Sequence, residues 1–165
     1  MKTTYQRRSL LNSLMWLIVI ALFVSGKANA QSISWVKEGT EIMKKVSETE
    51  YSMPQSLITY QLENGALWQL NSNKRFEKPS GYVKTMPSGR IFFYGQWNEM
   101  LGYYVPAEKR YYYATGKGET IEKESAFAVV QDGKIYTTGA NDGSPRYTVD
   151  DAISPIWIGF FLFII

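Results

Sequence analysis

The chain contains no cysteine and no histidine among its 165 residues. The absence of histidine excludes Ser-His-Asp and Cys-His nucleophilic sites, histidine-ligated haem and the usual zinc ligand sets. It also removes the side chain best suited to moving protons near neutral pH. The absence of cysteine excludes thiol redox chemistry and any disulfide, so the fold must stand on its core alone. What is left for catalysis is a pair of carboxylates, as in glycoside hydrolysis. Glu63, Glu99, Asp132, Asp150 and Asp151 are the acids near turns and strand ends, and each reads first as a solvated or turn-forming residue. Asn141-Asp142-Gly143 lacks the alternating acids and closing glutamate of a calcium loop. Gly116-Lys117-Gly118-Glu119-Thr120 lacks the spacing of a phosphate loop. No catalytic, cofactor-binding or metal-binding residue is assigned, and no cofactor is expected.

Acidic residues are missing from the first 30 positions, where Lys2, Arg7 and Arg8 precede an apolar run from Leu10 to Val24 broken only by Asn12 and Ser13. Ser25-Gly26 ends that run, and Ala28-Asn29-Ala30 places small residues where a signal peptidase reads them. The pattern predicts a secretory signal peptide over 1–30, cleaved between Ala30 and Gln31. An exported protein of the bacterial periplasm or cell envelope, with possible attachment to the membrane, is the expected setting. Four of the 18 basic residues lie in this segment, leaving 14 against 15 acids, a net charge of −1. The basic balance of the whole chain therefore belongs to the leader, and nucleic acid is not an expected partner.

Aromatic side chains make up 15% of the whole chain, and after the leader they are set in a repeated pattern. Asn64-Gly65-Ala66-Leu67-Trp68, Ser88-Gly89-Arg90-Ile91-Phe92 and Asp132-Gly133-Lys134-Ile135-Tyr136 share one form, with Glu108-Lys109-Arg110-Tyr111-Tyr112 as a degenerate copy. Each reads as a hairpin turn, because Asn-Gly and Asp-Gly tolerate the positive φ of a two-residue turn. Extended apolar stretches on either side make four hairpins. The expected fold is mainly β: one antiparallel meander of about eight strands over 31–152, as a barrel, a sandwich or a covered sheet. Thr40–Glu50, with Ile42, Met43 and Val46 on one side, predicts one short N-terminal helix. The segments 71–81 and 115–125 read as exposed loops.

Trp68, Phe92, Tyr112 and Tyr136 occupy equivalent positions and are expected to line the core, with an exposed stacking platform as the other reading. Tyr103, Tyr104, Tyr111 and Tyr113 fall on neighbouring strands whose alternation sends phenolic rings to both faces. Together with Trp97 they are the candidate contacts for a protein or carbohydrate ligand.

The last segment, 153–165, is a hydrophobic tail. As a helix, Ile156 to Ile165 rises only ~15 Å, about half of a hydrocarbon core. It reads as the start of a membrane span, a buried tail or an interfacial anchor, and so predicts proximity to a membrane. The function expected from these features is a non-enzymatic binding or assembly module of the envelope, using an aromatic face. Two alternatives stand beside it: the extracytoplasmic domain of a truncated membrane sensor or transport component, and a carboxylate-dependent polysaccharide hydrolase.

Overall fold

The computed structural model describes residues 31–35, 38–71, 74–114, 126–138 and 143–165. The predicted signal segment and the predicted loop over 115–125 lie outside the described residues.

Local turn chemistry sets the architecture. Asn64 and Gly65 both have positive φ (50° and 77°), as do Asp132 and Gly133 (50° and 68°), and each pair closes a two-residue hairpin. Gly89 (80°) and Lys109 (54°) hold the corresponding left-handed positions in their own turns. The four positions aligned by the repeat thus share a positive φ, although one of them is a lysine.

The eight strands these turns predict are all present: β4 (Ile58–Glu63), β5 (Ala66–Asn71), β7 (Gly81–Thr85), β8 (Ile91–Gly95), β9 (Met100–Val105), β10 (Arg110–Tyr113), β11 (Ala126–Gln131) and β12 (Lys134–Thr137). They are not the whole sheet. β1 (Ser32–Trp35), β2 (Glu41–Ser47), β3 (Glu50–Met53) and β13 (Tyr147–Val149) join them, and the two-residue β6 (Lys74–Arg75) pairs with β5. Successive strands pair antiparallel, β4 joins β5, and β1 pairs β13 through Ile33↔Val149 and Trp35↔Tyr147. The result is a closed twelve-strand antiparallel barrel, with β6 outside the ring, rather than a meander of eight.

The expected N-terminal helix is a second correction. Residues 41–47 are strand β2, held between β1 and β3, with Met43 fully buried and Val46 exposed. Three apolar residues in eleven do not separate a 3.6 period from a period of two. Register shifts at Ile33/Ser34 and Lys45/Ser47 then let an irregular pattern fit the ladder.

The helix lies instead at the other end of the chain. Helix α1 (Pro155–Phe163) starts with proline at its first turn, where a missing N–H costs nothing. It is apolar on all sides, which in water-soluble folds marks a helix enclosed by protein. Trp157, Ile158, Gly159 and Phe160 are all buried, and four consecutive residues cover a full helical turn. Ring contacts reach outward in several directions, from Trp157 to Tyr51 of β3, Phe160 to Phe93 of β8, Phe161 to Tyr147 of β13 and Phe163 to Tyr111 of β10. The helix therefore runs inside the barrel. Eight strands leave an interior that side chains can fill, whereas twelve enclose a wider one. A helix about 10 Å across supplies the extra filling.

The inward row is the aliphatic position of each repeat, and the aromatic position faces away from it. Leu67, Tyr111 and Ile135 are fully buried and Ile91 nearly so, all within the core cluster. Trp68, Tyr112 and Tyr136 are only partly buried, and Phe92, though covered, is not part of that cluster. The expectation that the aromatic row forms the core is thus reversed.

Candidate functional site

Alternation of strand direction assigns every turn to one of two ends. The turns at 48–49, 64–65, 86–90, 106–109 and 132–133, and the segment 150–154 that leads into α1, lie at the proximal end. The turns at 54–57 and 96–99, the segment 76–80 and the C-terminus of α1 lie at the distal end.

The five candidate contact residues separate into three environments. Trp97 sits at the tip of the distal turn between β8 and β9, 74% exposed, its backbone N–H donating to the Glu99 carboxylate at 2.9 Å. The Lys78 ammonium lies 5.1 Å from the centre of its indole ring. Tyr113 is half exposed at the distal end of β10, against Phe127 at 4.1 Å and Phe163 at 5.9 Å. Tyr103 is buried on the outer face. It stands in a ladder between Phe92 (5.6 Å, 27°) and Tyr112 (5.0 Å, 9°), with the rings stacked across β8, β9 and β10.

Tyr104 and Tyr111 point the other way, into the barrel, with ring centroids 4.6 Å apart. The Tyr111 hydroxyl donates to the Pro155 carbonyl at 3.0 Å, tying β10 to the start of α1. Burial pushes the Tyr111 phenol well above its ordinary value, and the neighbouring Tyr104 adds to that shift. Burial also raises Tyr104 and Tyr60. Tyr51 is pushed up to about 12, first by burial and then by the Glu48 and Asp150 carboxylates. These phenols stay neutral at any physiological pH. They wall the lumen, and the Tyr51 and Tyr111 hydroxyls donate to Gln31 at 3.4 Å and to the Pro155 carbonyl.

The distal end has a character that the sequence did not single out. Among the described residues, the large apolar side chains left exposed are Trp35 (41%), Val46 (59%), Leu57 (83%), Phe76 (48%), Trp97 (74%) and Tyr113 (49%). All but Val46 belong to the distal turns or to the distal strand ends. In sequence they are scattered over some 80 positions, so only the direction of each strand brings them to one rim. Counting strands around the meander would have found it, had β1 and β3 been recognised. Lys74 and Lys78 flank Phe76, whereas the Arg75 side chain turns back along β5, stacked on Trp68 at 3.8 Å and paired with Glu63 beside the proximal turn.

At the proximal end a cavity of about 340 Å³ opens beside the start of α1. No group of three or more acidic side chains among the described residues is placed to hold a metal ion. No helix among them is long and apolar enough to cross a membrane. Neither family models, nor curated proteins, nor solved structures show a match to this chain.

Proposed function

We propose that the chain is a non-enzymatic, extracytoplasmic binding module that docks on a membrane surface through the distal rim of its barrel. The observation that carries this reading is the collection of Trp35, Leu57, Phe76, Trp97 and Tyr113 at one end, with Val46 the one exposed large apolar side chain elsewhere among the described residues. Single exposed apolar residues are ordinary on any surface, but a concentration of them marks an interaction site. They stand on separate turns and strand ends, as individual wedges rather than one flat patch. That form suits a fluid interface, in which each side chain finds its own depth.

Tryptophan and tyrosine favour the headgroup level of a bilayer, and nearby lysines can reach lipid phosphates while their stems stay in apolar surroundings. Lys74 and Lys78 beside Phe76 and Trp97 provide that combination. Asp132, Asp150 and Asp151 lie at the proximal end, but Glu77 and Glu99 stand beside Phe76 and Trp97 at the distal end, so the reading rests on the apolar side chains and not on a separation of charge. In this reading the rim makes the contact, and the apolar C-terminal segment serves the interior of the barrel.

The test is flotation of the full chain with vesicles of phosphatidylcholine and phosphatidylglycerol, beside a Leu57→Ala/Trp97→Ala variant in the same background. Both side chains are largely exposed, so their removal leaves the core intact. The expected result is a drop in vesicle affinity of about tenfold or more. Equal flotation of the two proteins, or none by either, rejects the docking rim. Recovery of a soluble protein partner by the parent chain but not by the variant would reassign the same rim to protein recognition.

A further inference from the structure

The apolar wedges of the distal rim do not stand in equivalent surroundings, and charge separates them. From Tyr51 to Leu62, between Glu50 and Glu63, the hairpin of β3 and β4 contains no charged residue. Among the described residues, the other distal connections do carry charge. Glu38 lies between β1 and β2, Glu77 and Lys78 between β5 and β7, Glu99 between β8 and β9, and Arg146 between β12 and β13. A charged side chain is costly in the acyl region of a bilayer, so these connections are suited to no greater depth than the headgroups. Trp97 shows this directly, with the Lys78 ammonium 5.1 Å from its ring centre and its backbone N–H on the Glu99 carboxylate.

The uncharged turn also carries a residue that is unfavourable to the isolated fold on two counts. Leu57 is 83% exposed, and its φ of 57° lies in the left-handed region that leucine rarely adopts. Asparagine or glycine would meet that φ at lower cost and expose less apolar surface. Backbone strain of this kind collects where function uses the conformation. The turn is otherwise self-contained. The Met53 carbonyl accepts the Ser56 backbone N–H at 3.2 Å and the Ser56 hydroxyl at 3.5 Å, so fewer polar groups need water. At its base Met53 pairs with Ile58, and both pack against the core, which gives the turn a fixed stem.

We propose that the β3–β4 turn is the part of the rim that enters the acyl region of the bilayer, led by Leu57, while the Trp97 turn stops at the headgroups. The inference rests on the docking reading and adds to it a depth for each turn and a tilt of the barrel toward β3 and β4.

The absence of native cysteine allows a depth measurement at single introduced thiols. Gln55→Cys and Gln96→Cys, both at exposed turn positions, are labelled with an environment-sensitive fluorophore and bound to phosphatidylcholine–phosphatidylglycerol vesicles. Acyl-chain nitroxide lipids should quench the probe at 55 more than headgroup nitroxide lipids do, and the order should reverse at 96. In flotation of the full chain, Leu57→Asn should lower vesicle affinity about tenfold, the effect of one leucine kept out of an apolar phase. Leu57→Met should bind like the parent. The urea midpoint of Leu57→Asn should rise, because asparagine relieves the left-handed strain. A fall in that midpoint would make Leu57 a structural residue and overturn the inference. Equal quenching orders at 55 and 96, or a loss of flotation with Trp97→Ala but none with Leu57→Asn, would overturn it and leave the docking rim standing. No flotation of the parent chain would remove the docking reading and this inference together.

Discussion

At the residue scale, the position that departs from its own repeat is the most informative. Lys109 stands where the other copies have glycine, and it adopts φ of 54° all the same. For a residue with a Cβ, that left-handed conformation costs about 1–2 kcal/mol. The hairpin between β9 and β10 therefore holds its turn by the pairing of its strands, Val105↔Arg110 and Tyr104↔Tyr111, and not by turn preference. Replacing Lys109 by glycine should raise stability by about 1 kcal/mol, seen as a higher urea midpoint at unchanged slope. A midpoint that stays or falls would mean the lysine side chain contributes contacts that outweigh the backbone strain.

At the scale of the element, α1 and the strands around it are fitted through glycines. A Cβ on Gly159 would run into the Phe93 ring, and one on Gly102 would meet Phe163 and the Tyr112 carbonyl. In a solvent-exposed helix, glycine to alanine is a gain of about 1 kcal/mol. Here the sign reverses, because overpacking a filled interior costs about 1–3 kcal/mol. Gly159→Ala should lower the thermal midpoint, and Phe93→Leu in the same chain should recover part of the loss. If Gly159→Ala raises the midpoint instead, α1 does not occupy the barrel as described. The apolar composition of 156–165 made a helix in an apolar medium readable from the sequence. Its position among Tyr51, Phe93, Tyr111 and Tyr147 was not, since lipid and a barrel interior ask the same of ten apolar side chains.

At the scale of the whole molecule, the lumen is unusual in being walled by phenols. Tyr51, Tyr60, Tyr104 and Tyr111 all have their ionisation raised by burial, Tyr51 from 10 to about 12. Above pH 10 the unfolded chain gives up these protons while the folded barrel keeps them, so the folded state binds more protons. Their contribution is full below pH 10 and is lost as pH rises through the folded values. For Tyr51 that window runs from 10 to about 12. The barrel should unfold cooperatively in this alkaline range, with a step of phenolate absorbance coincident with the loss of far-ultraviolet dichroism. A smooth phenolate titration near pH 10 with the dichroism unchanged would show that these tyrosines are accessible. The proposed docking rim belongs to this scale too, because it gathers residues from strands far apart in the chain.

The sequence by itself determined the local pieces: eight of the strands, the turns at Asn64-Gly65 and Asp132-Gly133, and the apolar character of the last segment. These follow from φ preferences and from alternation over a few residues, which act within one hairpin. Only the tertiary structure decided which face of each strand turns inward. Leu67-Trp68 and Ile135-Tyr136 are apolar on both faces, so a period of two marks a strand without choosing its core side. Closure was also beyond local reading, since β1 meets β13 across 114 positions, where Thr148 Oγ1 donates to the Ser34 carbonyl at 3.5 Å. Of the candidate site residues, Trp97 and Tyr113 reach the distal rim, whereas Tyr103 lies in the outer ladder and Tyr104 and Tyr111 in the lumen. The same residue type met three environments, because ring closure and an internal helix, and not hydrophobicity, assign each side of the wall.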